Sequence, residues 1–417
     1  MKAKDASSGK INYCQVCSSK KLQKVIRMGS TGLCDSLLTK KQLNKEKSYP
    51  LNLFRCTNCQ LLQLDYAVNN KEVFHLNYPY KSGITKPLTK LLHSTSKYLR
   101  DNFKFSKKPL AVDVGSNDGT LLQGFKKRKF KVLGIEPTNI AKLANKNGIK
   151  TVQTFFDVKS AKKISKKYQK AEVITGTNIF AHINKLNSFM EGVKVLLDKK
   201  NGLFVTESHY AVNIIEELQY DSIYHEHLRF YLLKPLDVLM NMYGFKIIDA
   251  VRIPNYGGSI RVVASLNSKI KPSKNVKKIF NLEKSKGFYS SKKYKKFSND
   301  IVKNKKKLIN LLSDIKKKNK RIVGIGCPGR CITLLAYCNI NNKLLDYIAE
   351  QSSSLKLNLY TPNTHLKVLD EKYFFENQPD YALILSWHYG KSVMKNLRKK
   401  GYKGKFIMPL PYPKVLN

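Results

Sequence analysis

Leu110-Ala111-Val112-Asp113-Val114-Gly115-Ser116-Asn117-Asp118-Gly119-Thr120-Leu121-Leu122 decides the fold of this 417-residue chain. Its apolar start predicts a strand over 110–114, Gly115 to Gly119 a turn, and Thr120-Leu121-Leu122 the opening of a helix. Gly115 and Gly119 let the backbone bend sharply and approach a ligand closely. The next apolar run, Lys131-Val132-Leu133-Gly134-Ile135, ends in Glu136-Pro137. A carboxylate at the tip of a second parallel strand can accept hydrogen bonds from two ribose hydroxyls. A third strand, Ala171 to Thr175, runs into Gly176-Thr177-Asn178-Ile179-Phe180-Ala181-His182, and its end is expected to line the same crevice. Asn178 and His182 are therefore candidate cofactor contacts, with a helix-capping Asn and a surface His as the plainer alternative.

Strand-like runs alternate with amphipathic stretches from Pro109 to Leu266 and again from Ile322-Val323-Gly324-Ile325 onward. That alternation predicts parallel sheets with crossover helices, so the two stretches read as two copies of one architecture. In the lysine-dominated segment between them, Val276, Ile279 and Phe280, then Ile301, Leu308, Leu311, Leu312 and Ile315, recur at helical spacing, which predicts one or two linking helices. The divisions expected are residues 1–108, 109–268, 269–320 and 321–417.

Lys and Arg number 77 against 29 Asp and Glu, a net charge of +48 that ordinarily points to nucleic acid or an anionic membrane. The lysines are spread from end to end, however, and Ile, Asn, Tyr and Phe are also abundant, as AT-rich codons produce. Neither partner is expected, although the positive field would draw in phosphorylated small molecules. No apolar run approaches the ~20 residues needed to cross a bilayer. Met1-Lys2-Ala3-Lys4-Asp5 has no apolar stretch behind it, so a cytoplasmic location is expected.

Cys14-Gln15-Val16-Cys17 and Cys56-Thr57-Asn58-Cys59 are two turns of the same spacing. Each presents two sulfurs to one point, and together Cys14, Cys17, Cys56 and Cys59 supply a closed tetrahedral zinc site of a structural kind. A redox pair would not need a twin. Cys34, Cys327, Cys331 and Cys338 have no such partner and are expected to be buried small apolar residues.

Downstream lies Tyr224-His225-Glu226-His227, a phenol, two imidazoles and a carboxylate in four positions, suited to acid/base chemistry. Read as a strand, it puts His225 and His227 on one face, where they could bind metal, but no third ligand lies nearby at metal spacing. Asn255-Tyr256-Gly257-Gly258-Ser259-Ile260-Arg261 is a glycine-containing return. Arg261 is a candidate to grip a phosphate or carboxylate bidentately, with a simple hairpin turn as the alternative.

The turn after the first strand departs from Gly-x-Gly-x-x-Gly, with Asn117 at the second glycine position and Asp113 inside the strand. As Asp-x-Gly-x-x-x-Gly it resembles the first motif of class I methyltransferases that use S-adenosylmethionine. With the four-cysteine module, Tyr78-Pro79-Tyr80-Lys81-Ser82-Gly83, Asn178 to His182, Tyr224 to His227 and Asn255 to Arg261, nearly the whole chain resembles the nucleotide-sugar C-methyltransferase family. The resemblance implies an α/β fold: an N-terminal zinc-binding module, a class I methyltransferase Rossmann-like domain and a second, C-terminal Rossmann-like domain. It implies S-adenosylmethionine held by Asp113, Gly115, Asn117, Asp118, Gly119, Glu136, Pro137, Asn178 and His182. It further implies a nucleotide-linked 4-keto-deoxysugar as substrate, contacted by Ser82, Asn255, Gly258 and Arg261. His227 would be the base that forms an enolate, Tyr224 with Tyr78 or Tyr80 would hydrogen-bond the oxyanion or the sugar hydroxyls, Glu226 would orient the sugar or His227, and His225 would be a support. A monomer or weak homodimer is expected.

Gly324-Ile325-Gly326-Cys327-Pro328-Gly329 also fits a dinucleotide pattern, with Glu350 at the end of the following strand. The resemblance implies instead a cofactor-free domain that helps enclose the nucleotide-sugar. The segment departs from the family's Gly-Ala-x-Ala-Lys form, which puts the nucleotide base in question. A zinc-containing protein that binds or methylates nucleic acid is the rival reading, but the charge is not gathered into a stripe with stacking aromatics.

Overall fold

The structure is a computed structural model and describes residues 2–73, 82–83 and 86–417. Seven strands form its central sheet: β1 (Leu110–Val114), β2 (Lys131–Ile135), β3 (Thr151–Val152), β4 (Val173–Thr177), β5 (Leu203–His209), β6 (Lys246–Ile253) and β7 (Ser259–Ser265). Their order across the sheet is β6-β7-β5-β4-β1-β2-β3. Every side chain of β1 is buried, as suits a strand with helices on both faces of its sheet. β1 to β5 run parallel, whereas β7 is antiparallel to both β5 and β6. The chain proceeds from β1 outward to β2 and β3, then returns to β4 on the other side. The switch point therefore lies between β1 and β4, and the crevice opens at their carboxyl ends.

A second sheet repeats this winding. Its strands β8 (Ile322–Ile325), β9 (Ile348–Glu350), β10 (Val368–Asp370), β11 (Tyr381–Ile384), β12 (Lys405–Met408) and β13 (Lys414–Leu416) lie in the order β10-β9-β8-β11-β12-β13. All pairs are parallel except β12 with β13. The lysine-rich segment before it forms two helices, Lys274–Ser285 and Ser291–Lys317. Tyr294, Phe297, Ile301, Asn304, Leu308, Leu312 and Ile315 make the buried row of the longer one, three or four residues apart, while its lysines face solvent. No helix among the described residues is long and apolar enough to cross a membrane.

The N-terminal module is a four-stranded sheet, and one strand comes from far away in the chain. Leu22–Thr31, Tyr49–Cys56 and Leu62–Leu64 are extended by Arg229–Phe230, with Arg229 opposite Gln63 and Phe230 opposite Leu62. The residues that follow His227 thus belong to the cysteine-bearing sheet.

Candidate active site

Gly115 has φ +70°, and a Cβ there would stand 2.5 Å from Ile179 Cγ2, so only glycine lets β1 turn this close to the loop after β4. The turn is tied to β2 by Gly115 N–H to Ile135 O at 2.8 Å. Glu136 is buried at the tip of β2, where Oε2 accepts from Asn117 N–H at 3.0 Å and Oε1 from Thr138 Oγ1 at 2.7 Å. Asn117 and Asp118 reach back to the N-terminal segment: Ser82 N–H donates to Asn117 Oδ1 at 2.8 Å and Gly83 N–H to Asp118 Oδ2 at 2.7 Å. Asp113 lies deeper, where Thr175 Oγ1 donates to Oδ1 at 2.6 Å and burial pushes its carboxyl up to about 8 against that hydrogen bond. Ser116 Oγ, buried in the turn, has no partner among the described residues. A glycine-bent turn, a carboxylate at the second strand tip and an unanswered hydroxyl fit an adenosyl cofactor. Pro137 follows Glu136 half-buried, and Asn178, at φ +56°, donates its N–H to Glu207 O at 2.9 Å.

Tyr224 to His227 is a turn and not the strand expected: His227 N–H donates to Tyr224 O at 2.9 Å, which sends alternate side chains to different neighbours. Only Tyr224 and His227 of the four remain partly exposed. Tyr224 Oη lies 2.9 Å from His227 Nε2, and His227 Nδ1 lies 3.3 Å from the Ser222 carbonyl. The His182 ring is 4.7 Å and the His209 ring 6.2 Å from that of His227, measured between centroids. His182 Nδ1 is 2.5 Å from Glu226 O, and His209 Nε2 is 2.7 Å from Tyr256 O. Burial holds His227 well below the usual imidazole value, reinforced by His182 and His209, and drives His182 down to about 4 and His209 to about 3. It also raises the Tyr224 phenol well above its usual value, Cys34 and Glu226 adding to the effect. A neutral imidazole beside a protonated phenol is a base next to a hydrogen-bond donor.

His225 and Glu226 face the N-terminal module. His225 Nε2 donates to Pro50 O at 3.1 Å and packs edge-on to Tyr49 at 5.8 Å. Glu226 Oε1 accepts from Cys34 N–H at 3.1 Å, and burial, with Asp35 adding to it, raises its carboxyl to about 7. Tyr78 and Tyr80 lie outside the described residues.

The return between β6 and β7 is a tight hairpin connection. A Cβ on Gly258, at φ +111°, would fall 2.3 Å from Asn213 Cγ. Asn255 is buried, with Nδ2 3.4 Å from Glu207 Oε2 and Oδ1 without a partner among the described residues. Arg261 is held within the sheet. Its Nε donates to Glu207 Oε1 at 2.6 Å and its Nη2 to Thr95 Oγ1 at 2.8 Å, a buried ion pair between adjacent antiparallel strands. His209, which no sequence motif marks, ends β5 at the carboxyl edge, where ligands of such sheets bind.

Cys14, Cys17, Cys56 and Cys59 are all buried, and their sulfurs lie within 4.8 Å of one another. Four sulfurs so placed fit tetrahedral zinc and leave no position for water. Cys34, Cys327, Cys331 and Cys338 are buried free thiols.

Three family models match the chain in succession. One, described as "Putative zinc binding domain", covers residues 14–74; another, "Methyltransferase domain", covers 87–250; the third, "C-methyltransferase C-terminal domain", covers 254–411. C-methyltransferase NovU of Streptomyces niveus is 26% identical over 413 residues, 98% of this chain and 97% of that protein. Solved structures similar to part of the chain include a SAM-dependent methyltransferase from Anabaena variabilis, at 17% identity and TM-score 0.34 over 41% of this chain and 82% of that one. Another, from Archaeoglobus fulgidus, is 12% identical with TM-score 0.34 over 42% of this chain and 93% of its own.

Proposed function

We propose that this S-adenosylmethionine-dependent enzyme, which belongs to the zinc-containing C-methyltransferases, methylates a ring carbon next to the ketone of a nucleotide-linked 4-keto-deoxysugar. The observation that carries the reading is the pair of Tyr224 Oη and His227 Nε2, 2.9 Å apart and partly exposed beside the cofactor crevice. When bound, S-adenosylmethionine supplies an electrophilic methyl group on a sulfonium.

A ketone acidifies the neighbouring C–H, and carbon methylation needs a base to take that proton and a donor to hold the enolate. His227 Nε2 takes the proton, so the electron pair of the C–H bond becomes the enolate. Tyr224, still a phenol, turns its hydroxyl from His227 to the enolate oxygen. S-adenosylmethionine held at the glycine turn and Glu136 would supply its methyl group to the enolate carbon, with the thioether as leaving group. Glu136 receives the ribose hydroxyls of the methyl donor. The C-terminal sheet encloses the nucleotide of the substrate.

Incubation with S-adenosylmethionine labelled in its methyl group and a panel of 4-keto-deoxysugar nucleotides tests the reaction. The expected product carries one methyl on carbon, read by mass and carbon NMR. Label on oxygen or on RNA, with none on a sugar carbon, would sink the reading. Glu136→Gln is expected to weaken S-adenosylmethionine roughly 10- to 100-fold by calorimetry, since hydrogen bonds to a charged acceptor contribute about 1.5–3 kcal/mol. Unchanged affinity would remove the carboxylate from the cofactor site.

A further inference from the structure

The C-terminal sheet brings one cation to the turn that carries His227. Arg330, on the first turn of the helix Gly329–Cys338, is 8% exposed and grips Asp221 with two donors. Nε donates to Oδ2 at 2.8 Å and Nη2 to Oδ1 at 2.9 Å. Nη2 also donates to Ser222 Oγ at 2.5 Å, and Trp387 Nε1 donates to Asp221 Oδ2 at 2.7 Å. One turn further along the helix, Thr333 Oγ1 donates to the Ile223 carbonyl at 3.1 Å. The segment preceding Tyr224 is therefore laid along a helix of the other sheet. Its Ser222 carbonyl is the partner of His227 Nδ1. A carbonyl only accepts, so the imidazole proton sits on Nδ1 and the lone pair on Nε2, toward Tyr224.

We propose that Arg330 is a positioning residue for the methyl transfer: by clamping Asp221 and Ser222 it fixes the carbonyl that selects the Nε2-basic tautomer of His227. The inference rests on the role given to His227 above. A planar guanidinium can hold both carboxylate oxygens and a hydroxyl at once, which the point charge of a lysine cannot. Nothing in this arrangement requires Arg330 to touch substrate.

Arg330→Met is expected to lower kcat by about 10²-fold, the scale of a small misplacement of a reacting group, with KM changing less than about threefold. The nitrogen-15 resonances of His227, identified as those missing from His227→Gln, should change from a single Nδ1-protonated form to a mixture of tautomers. Arg330→Lys should fall between Arg330→Met and the parent in both readouts. A folded Arg330→Met with parental kcat and an unchanged His227 tautomer overturns the proposal. Should Arg330→Met not fold, as judged by circular dichroism, Asp221→Asn carries the same two readouts with the same expected and overturning results. If His227→Gln itself turned over normally, the base assignment would fail, while the tautomer measurement would still report on Arg330.

Discussion

His227→Gln is expected to reduce turnover by about 10²- to 10⁴-fold, the range for loss of a positioned general base. Its melting temperature and its affinity for S-adenosylmethionine should stay near those of the parent protein. Glutamine keeps much of the imidazole's bulk and can still meet the Tyr224 hydroxyl, but it has no nitrogen lone pair to receive a proton. Proton washout separates the base from the methyl acceptor chemistry. With the keto-sugar in heavy water and no methyl donor, the parent should exchange the C–H next to the ketone and the variant should not. The pH profile gives an independent check. Burial first, and then His182 and His209, disfavour the charged form of His227, so its folded pKa lies below the ordinary ~6.5 and the free base survives as pH falls through that value. The acid limb of kcat/KM is therefore expected below pH ~6.5; a limb at or above that value would count against His227.

Removing zinc, by a strong chelator or by Cys59→Ser, is expected to abolish activity and to remove a cooperative step from the thermal melt. Structural zinc sites hold about 10–16 kcal/mol of binding free energy, comparable with the whole stability of a domain. The loss would reach the active site by a traceable route. Gln15 stands between Cys14 and Cys17, and its Oε1 accepts from Nη1 of Arg229. Arg229, 1% exposed and two residues beyond His227, also donates to the Ile183 and Phe180 carbonyls, on either side of His182. Without the metal, Gln15 loses its position, a buried guanidinium loses a partner and the His182 loop loses its anchor. Calorimetry before and after chelation, with metal content measured alongside, reads both effects. A chelated protein with full turnover would refute the coupling.

What could be read from the linear chain follows sequence distance. The glycine turn, Glu136 and the two cysteine turns are encoded by residues close together, and their local chemistry allows few other readings. The contacts around His227 are not of that kind. Arg330 meets Asp221 across 109 positions, Trp387 meets it across 166, and Arg229 meets Gln15 across 214. No local pattern marks such pairs. Tyr-His-Glu-His alternates as a half-buried strand does, but the neighbouring helix and the cysteine-bearing sheet fold it into a turn, so His225 and His227 part company. Arg261 followed the same logic: an arginine after a glycine pair reads as a ligand contact, whereas its neighbour across β5 and β7 is Glu207. His209 was within reach, because the end of a strand in an open parallel sheet is itself a signal.

The strand Arg229–Phe230 has a consequence for the newborn chain. Leu62–Leu64 leaves the ribosome about 165 residues before the strand that completes its sheet, and at about 5–20 residues per second roughly 10–30 s separate the two. Throughout that interval the N-terminal sheet, its metal already within reach, carries a bare row of backbone donors and acceptors open to any passing strand. Slower translation between these two segments is therefore expected to raise the aggregated fraction, read as the share of newly made protein in the pellet.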